Sequence, residues 1–252
     1  MSQMTTEAFT GLRPARGVGH ASWVLGALIA PPEGGVSFRV PPAFPAVVRV
    51  HHELHEHNSW STVERDADTR TSAELPYPLP DPLNQVAGEL DEAAVDTLVP
   101  ALRAATGTAE QIHFAQWLGW GDLRRGSRVR TSTEADSERG ASRWVTDSAQ
   151  AEAEAVYRFV EGCPHVEWWG GRTMFLFDGP IDRVASIGSP RWFSDHEMRR
   201  RSPQWWWPRD RSWFVATEID DPCSYIAGDE DLIDAIERLG LDTVRVLPHD
   251  RW

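Results

Sequence analysis

The segment from Ser202 to Asp221, SPQWWWPRDRSWFVATEIDD, constrains the fold of this chain more than any other stretch. It holds four of the chain's 13 tryptophans. An indole ring is large, favours burial and has one N–H group that requires a partner. Because successive residues of an extended segment point to opposite faces, Trp205, Trp206 and Trp207 cannot all enter one core. The sequence therefore predicts that at least one of them lines a surface or groove that recognises another molecule.

The composition is that of a globular protein with an acidic surface. The 252 residues are 41% hydrophobic and 25% charged, which is ample for a buried core. All 25 basic residues are arginine, so Schiff-base and phosphate-loop chemistry through lysine is excluded. The formal net charge of −13 argues against general nucleic-acid binding and favours a basic partner.

The sequence gives no sign of export or of membrane insertion. The two cysteines, Cys163 and Cys223, do not form a disulfide framework, which is typical of a reducing compartment. The N-terminal sequence MSQMTTEAFTGLRPARG lacks the apolar region of a secretory signal. The apolar stretch Trp23–Pro31 is too short to cross a bilayer. We therefore expect a cytoplasmic protein without membrane association.

Hydrophobic periodicity predicts short strands and helices separated by long loops. Strands are predicted over residues 36–40, 46–50, 111–117, 173–177, 213–219 and 243–247, and helices over residues 91–106, 149–162 and 229–239, with a helical turn over 181–187. This mixture favours an α+β fold with one mixed or antiparallel sheet. We expect a single domain over residues 21–252, with a flexible arm over residues 1–20 and a polar insertion at about residues 124–148.

Three segments together resemble a family of uncharacterised, tryptophan-rich proteins common in actinobacterial genomes. They are VVRVHHEL near residue 50, RTMFLFDGPID near residue 175 and SPQWWWPRDRSWFVATEIDDPCSYIAGDEDLIDAI near residue 220. They cover about a third of the chain, and the last segment contributes most of the similarity. The family has no established activity. The resemblance therefore implies a bacterial source and a single fold, and it supplies no catalytic residue.

The sequence HHELHEH is the most metal-like cluster, with His51, His52, His55 and His57 as candidate ligands. Imidazoles flanked by glutamates are good ligands for zinc and other transition metals. The spacing does not match the His-Glu-x-x-His motif, because Glu56 stands where the second histidine is required. The cluster also follows a predicted strand, where alternation separates neighbouring side chains. These points favour a solvated polar loop over a metal site.

Arginines concentrate beside the tryptophans, since six of them lie between Arg191 and Trp213 against three acids. A guanidinium group stacks on indole and also grips carboxylates or phosphates. One interpretation is an anion or nucleotide sensor, and the other is that these arginines pair with acids and cover the tryptophans. The residues proposed to contact a ligand or partner are Trp205, Trp206, Trp207, Arg209, Asp210, Arg211, Trp213, Glu218, Asp220 and Tyr225.

Hydrolytic chemistry has one weak candidate. Glu218 and Asp220 are two residues apart at the end of a predicted strand, which would place both carboxylates on one face. Neither a Gly-x-Ser-x-Gly motif nor a Gly-x-Gly-x-x-Gly fingerprint occurs in the sequence.

The sequence thus favours a non-catalytic interaction protein that engages a protein partner through a surface rich in tryptophan and arginine. Both residue types dominate the energetics of protein interfaces. An immunity-type protein that neutralises a basic toxin would fit the charge. No cofactor is indicated. The alternatives are a metal-dependent or hydrolytic enzyme that uses the His51–His57 cluster or the Glu218 and Asp220 pair, and a nucleotide or small-anion sensor.

Overall fold

The computed structural model describes residues 8–28, 35–52, 88–123, 153–168, 171–188, 191–192, 198–199, 201–247 and 250. The insertion predicted at 124–148 lies outside this part of the chain. The strands are β1 (Arg13–Pro14), β2 (Ala46–His51), β3 (Ile112–Trp117), β4 (His165–Trp168), β5 (Arg172–Gly179), β6 (Arg191–Trp192), β7 (Met198–Arg199), β8 (Trp205–Pro208), β9 (Phe214–Thr217), β10 (Cys223–Gly228) and β11 (Thr243–Val246). The α-helices are α1 (Ser22–Ala27), α2 (Val36–Arg39), α3 (Glu92–Ala104), α4 (153–161) and α5 (Glu230–Glu237), and 3-10 helices span Gly19–Ala21, Gly121–Leu123 and Ile181–Ser186.

Nine of the described strands form one antiparallel sheet. Its order is β1-β5-β3-β8-β9-β10-β2-β11, and β4 pairs with the first half of β5. The strands β6 and β7 form a separate antiparallel pair. This arrangement confirms the predicted α+β fold with an antiparallel sheet. It also confirms the predicted strands over residues 46–50, 111–117, 173–177 and 243–247 to within a few residues.

Both faces of the sheet are covered, so the sheet separates two hydrophobic cores. The first core packs the sheet against α3, α4 and α5 through residues such as Leu98, Val156 and Ile233. The second core packs the opposite face against the N-terminal segments, through Val24 and Val36 among others. A strand buried on both faces can carry large apolar residues at every position.

The predicted helices α3 and α5 begin at the expected residues. The side chain of Asp91 accepts a hydrogen bond from the Ala94 amide at 2.8 Å, and Asp229 accepts one from Leu232 at 2.9 Å. These are N-terminal caps, and they explain why acids precede both helices. Pro100 lies inside α3 without ending it. Within the described residues no helix has the length and apolar character needed to cross a bilayer.

Residues 8–20, which belong to the predicted flexible arm, include the buried Phe9 and β1, which pairs with Asp178 and Phe177 of β5. One prediction near the N-terminus is wrong. The strand expected over residues 36–40 is the short helix α2. Its last residue, Arg39, is buried and forms an ion pair with Asp221 at 2.6 Å. Tertiary pairing of this kind overrides the local β propensity of the valines.

Candidate functional site

The four tryptophans of the Ser202–Asp221 segment are buried, which contradicts the predicted recognition surface. Trp205 is 2% exposed, Trp207 is 1% exposed, and Trp206 and Trp213 are fully buried. The alternation argument itself is correct, because Trp206 enters the first core whereas Trp205 and Trp207 enter the second. The predicted surface was wrong because it assumed that the strand contacts a single core. A sheet covered on both faces offers two apolar environments to one strand.

The polar residues of this segment are divided among structural roles. Arg209 donates to the Gln111 side chain at 2.7 Å, and Asp210 accepts from the Thr106 hydroxyl at 2.7 Å. Arg211 lies over the ring of Trp23. Tyr225 is fully buried in the second core. Within the described residues, these side chains therefore do not form one common surface with the tryptophans.

Arg201 is the clearest example of an arginine that pairs with an acid and covers a tryptophan. Its guanidinium group forms a buried ion pair with Glu89 and lies 3.9 Å above the centre of the Trp120 ring. The charge of a buried arginine must be compensated, and here both an acid and an aromatic face compensate it. The hypothesis that these arginines pair with acids and cover tryptophans is correct for Arg201.

Glu218 and Asp220 do come together, although not on a strand, because β9 ends at Thr217. The guanidinium group of Arg172 donates to Glu218 at 2.8 Å and to Asp220 at 2.8 Å. The second oxygen of Glu218 also accepts from the Asp220 amide at 2.8 Å. One arginine thus pairs with both carboxylates. This arrangement is typical of ion pairs that hold two segments of the chain together, rather than of a catalytic acid–base pair.

The histidines of the HHELHEH sequence do not gather where the structure describes them. His51 and His52 are both buried, whereas His55 and His57 lie outside the described residues. His52 is 2.8 Å from the Ser224 hydroxyl, which is in turn 2.5 Å from the Thr217 hydroxyl. This buried chain of polar groups links β2, β10 and β9.

Removal of the Ser224 hydroxyl is expected to destabilise the protein. In a Ser224→Ala variant His52 and Thr217 lose their shared partner inside the core, which costs about 1–3 kcal/mol of unfolding free energy. Denaturant unfolding measures the loss. Thr97→Ala is a suitable control, because the exposed Thr97 hydroxyl bonds only to the Ala93 carbonyl of its own helix. An equal loss in both variants would contradict the structural role of the chain.

A cluster of two histidines and one aspartate lies at the opposite end of the sheet. His20, His113 and Asp178 each offer one ligand atom, and these three atoms lie within 4.8 Å of one another. The rings of His20 and His113 are stacked, with centroids 4.4 Å apart and planes inclined by 20°. His113 Nδ1 is 2.7 Å from Asp178 Oδ1. All three side chains are partly buried.

Strand register brings this cluster together. His113 on β3 lies directly opposite Asp178 on β5 and opposite Trp207 on β8. Its side chain points to the face of the second core, which α1 and the preceding 3-10 helix cover. That 3-10 helix contributes His20, whose ring lies 6.0 Å from Trp207, while the ring of His113 lies 5.6 Å from it. The indole of Trp207 therefore forms one wall of the site.

The pKa of His20 and the hydrogen bonding of its ring both favour the binding of a cation. Burial and the adjacent His113 lower the pKa of His20, and the carboxylate of Asp178 raises it in part. The lowered pKa favours the neutral form of His20, and its Nε2 atom is buried without a hydrogen-bond partner in the described structure.

Sequence reasoning missed all three residues of this cluster. His20 lies in the segment predicted as a loose arm, and His113 and Asp178 are 65 positions apart along the chain. Only the register of β3 and β5 pairs them. A histidine inside a predicted strand and an aspartate directly after a buried one were the available signals, and they do not indicate a shared site.

The cysteines offer no alternative chemistry. Both are free and buried. Burial raises the pKa of Cys163 and of Cys223 to about 12. A thiol in this state is a weak nucleophile.

Comparisons of the chain with protein-family models, with curated proteins and with solved structures gave no match. The resemblance to a tryptophan-rich family therefore stays a prediction, and the described side chains are the remaining indication of function.

Proposed function

We propose that this chain binds one divalent transition-metal ion through His20 and His113, with Asp178 completing the site. Two observations support the proposal: three ligand atoms lie within 4.8 Å of one another, and the buried Nε2 atom of His20 lacks a hydrogen-bond partner in the described structure. Metal–nitrogen bonds of about 2.1 Å allow two ligands on opposite sides of an ion to be roughly 4.2 Å apart. Both imidazoles can point at one ion once their side chains rotate out of the stacked arrangement.

The ligand set indicates the kind of ion and its role. Two imidazoles and one carboxylate suit zinc, cobalt or iron(II) better than the oxygen-seeking magnesium and calcium. Structural zinc sites are usually closed by four protein ligands, whereas three leave a coordination position open. The proposed ion is therefore accessible to a further ligand, as in a metal-dependent enzyme. This replaces the His51–His57 cluster as the metal candidate.

The proposal is tested by titrating chelator-treated protein with Co(II) and following the visible absorption of the bound ion. We expect one ion per chain. His20→Ala and His113→Gln should each weaken Co(II) binding by at least about 100-fold, since loss of even an outer partner costs 10- to 100-fold. His165→Ala provides the matched control, because His165 is an exposed histidine on β4 of the same sheet. Equal affinities in all four proteins would overturn the proposal.

The interaction-protein hypothesis loses the tryptophan surface on which it was based. Its remaining support is the net charge of −13, which favours encounter with a basic partner. No contact of the described residues selects such a partner, so the metal site is the better supported function.

A further inference from the structure

Arg211 lies in the turn between β8 and β9 and has an unusual backbone. Its φ of 58° is in the left-handed region, which residues other than glycine rarely adopt. Its amide donates to the Pro208 carbonyl at 2.9 Å, which closes the turn. The left-handed residue fixes the direction in which the arginine side chain leaves the sheet.

The guanidinium group of Arg211 packs against an aromatic ring but does not pair with a carboxylate of the described residues. Its Cζ atom lies 5.0 Å from the centre of the Trp23 ring, and the residue is exposed. Within the described residues Arg211 has no ion pair, whereas Arg39, Arg103, Arg158, Arg172, Arg201 and Arg245 all pair with carboxylates. The adjacent Asp210 is already engaged by Thr106 and Gly107. Arg211 therefore keeps its donors available in a strongly acidic chain.

The same aromatic wall connects Arg211 with the proposed metal ligands. Trp23 and His20 are three residues apart in the continuous helical segment that begins at Gly19. The ring of Trp23 lies 6.2 Å from that of Trp207, against which His20 and His113 also lie. Trp23 Nε1 is buried and has no hydrogen-bond partner in the described structure. Ring contacts through Trp23 and Trp207 therefore connect the guanidinium group of Arg211 with the cluster.

We infer that the ligand of this site is a small oxyanion, a phosphate or a carboxylate, bound by the ion and by Arg211. This inference rests on the proposed metal centre. A divalent ion beside the single carboxylate of Asp178 leaves a positive charge, and Arg211 adds a second. Planar guanidinium donors match the oxygens of such anions. The positive site in an acidic protein would attract an anion that the rest of the surface repels.

Two titrations test this inference. The first measures the affinity of wild type, Arg211→Ala and Arg209→Ala for Co(II). The second adds inorganic phosphate, or acetate in a parallel series, to each Co(II)-loaded protein and follows the absorption of the ion. Arg209→Ala is the matched control, because Arg209 is exposed in the same turn but bonds to Gln111.

We expect Arg211→Ala to bind Co(II) as wild type does but to bind the anion about 10- to 100-fold more weakly, as expected for one charge-assisted contact. Arg209→Ala should match wild type in both titrations. Binding of phosphate alone, or of acetate alone, identifies which of the two anions the site accepts. Anion binding that is absent, or equal in wild type and Arg211→Ala, would overturn the inference and leave the metal site intact. Failure of wild type to bind Co(II) would remove the metal site and this inference with it.

Discussion

Replacement of Trp206 by alanine is expected to lower the free energy of unfolding by about 3–5 kcal/mol, the usual cost of emptying a buried aromatic site. Trp206 is fully buried in the first core, and its ring contacts Trp213 edge to face at 5.5 Å. Denaturant unfolding of the purified variant measures the change. If Trp206 lined a recognition surface instead, the variant would keep its stability and lose only binding.

A pair of conservative variants separates packing from hydrogen bonding. Trp206→Phe and Trp213→Phe remove a similar volume, but only the indole of Trp213 has a partner, the Leu102 carbonyl at 2.8 Å. Leu102 lies in the last turn of α3, where the helix does not supply a backbone donor. Trp213→Phe should therefore be less stable than Trp206→Phe by about 1–3 kcal/mol. Equal stabilities would show that this hydrogen bond contributes little.

Acid is expected to destabilise the protein through His51. Burial and the charges of Arg49 and His52 lower the pKa of His51 from 6.5 to about 3. The unfolded chain therefore binds a proton below pH 6.5 that the native protein does not bind until about pH 3. The unfolding free energy then falls by about 1.4 kcal/mol per pH unit on acidification, or about 5 kcal/mol over the window.

The measurement compares wild type with His51→Gln by denaturant unfolding between pH 7 and pH 3.5. The comparison matters because Asp221 acts in the opposite direction. Burial raises the pKa of Asp221 from 3.8 to about 6, although Arg39 lowers it in part. Native Asp221 thus binds a proton before the unfolded chain does, which stabilises the protein on acidification in that range. The glutamine variant keeps this contribution, so the difference between the two proteins isolates His51. A constant difference would contradict the prediction.

Most of the sheet could be predicted because its strands are local apolar runs. Phe175, Leu176 and Phe177 are apolar at consecutive positions and are bounded by a turn, which indicates a strand buried on both faces. The short helix α2 could not be predicted in this way. Its valines favour a strand, and the buried pairing of Arg39 with Asp221 depends on the position of a residue 182 positions away.

The candidate site could not be predicted from the sequence for a related reason. The tryptophans are easily noticed in the sequence, but whether they are buried depends on whether one or both faces of the sheet are covered. His113 and Asp178 are individually unremarkable, and strand register alone makes them neighbours. The arginine-rich turn was predicted to contact a ligand, and Arg211 in that turn lies over the ring of Trp23. Its partner Trp23 belongs to a segment that local patterns did not connect with the sheet.

Because His20 follows β1 and the buried Phe9, an ion on His20, His113 and Asp178 would fasten the N-terminal segment to β3 and β5. Ion binding would then stabilise the docked N-terminal segment, and docking of that segment would strengthen ion binding. A filled site would therefore protect the bonds between Pro14 and His20 from protease attack, and removal of the ion would make them easier to cleave.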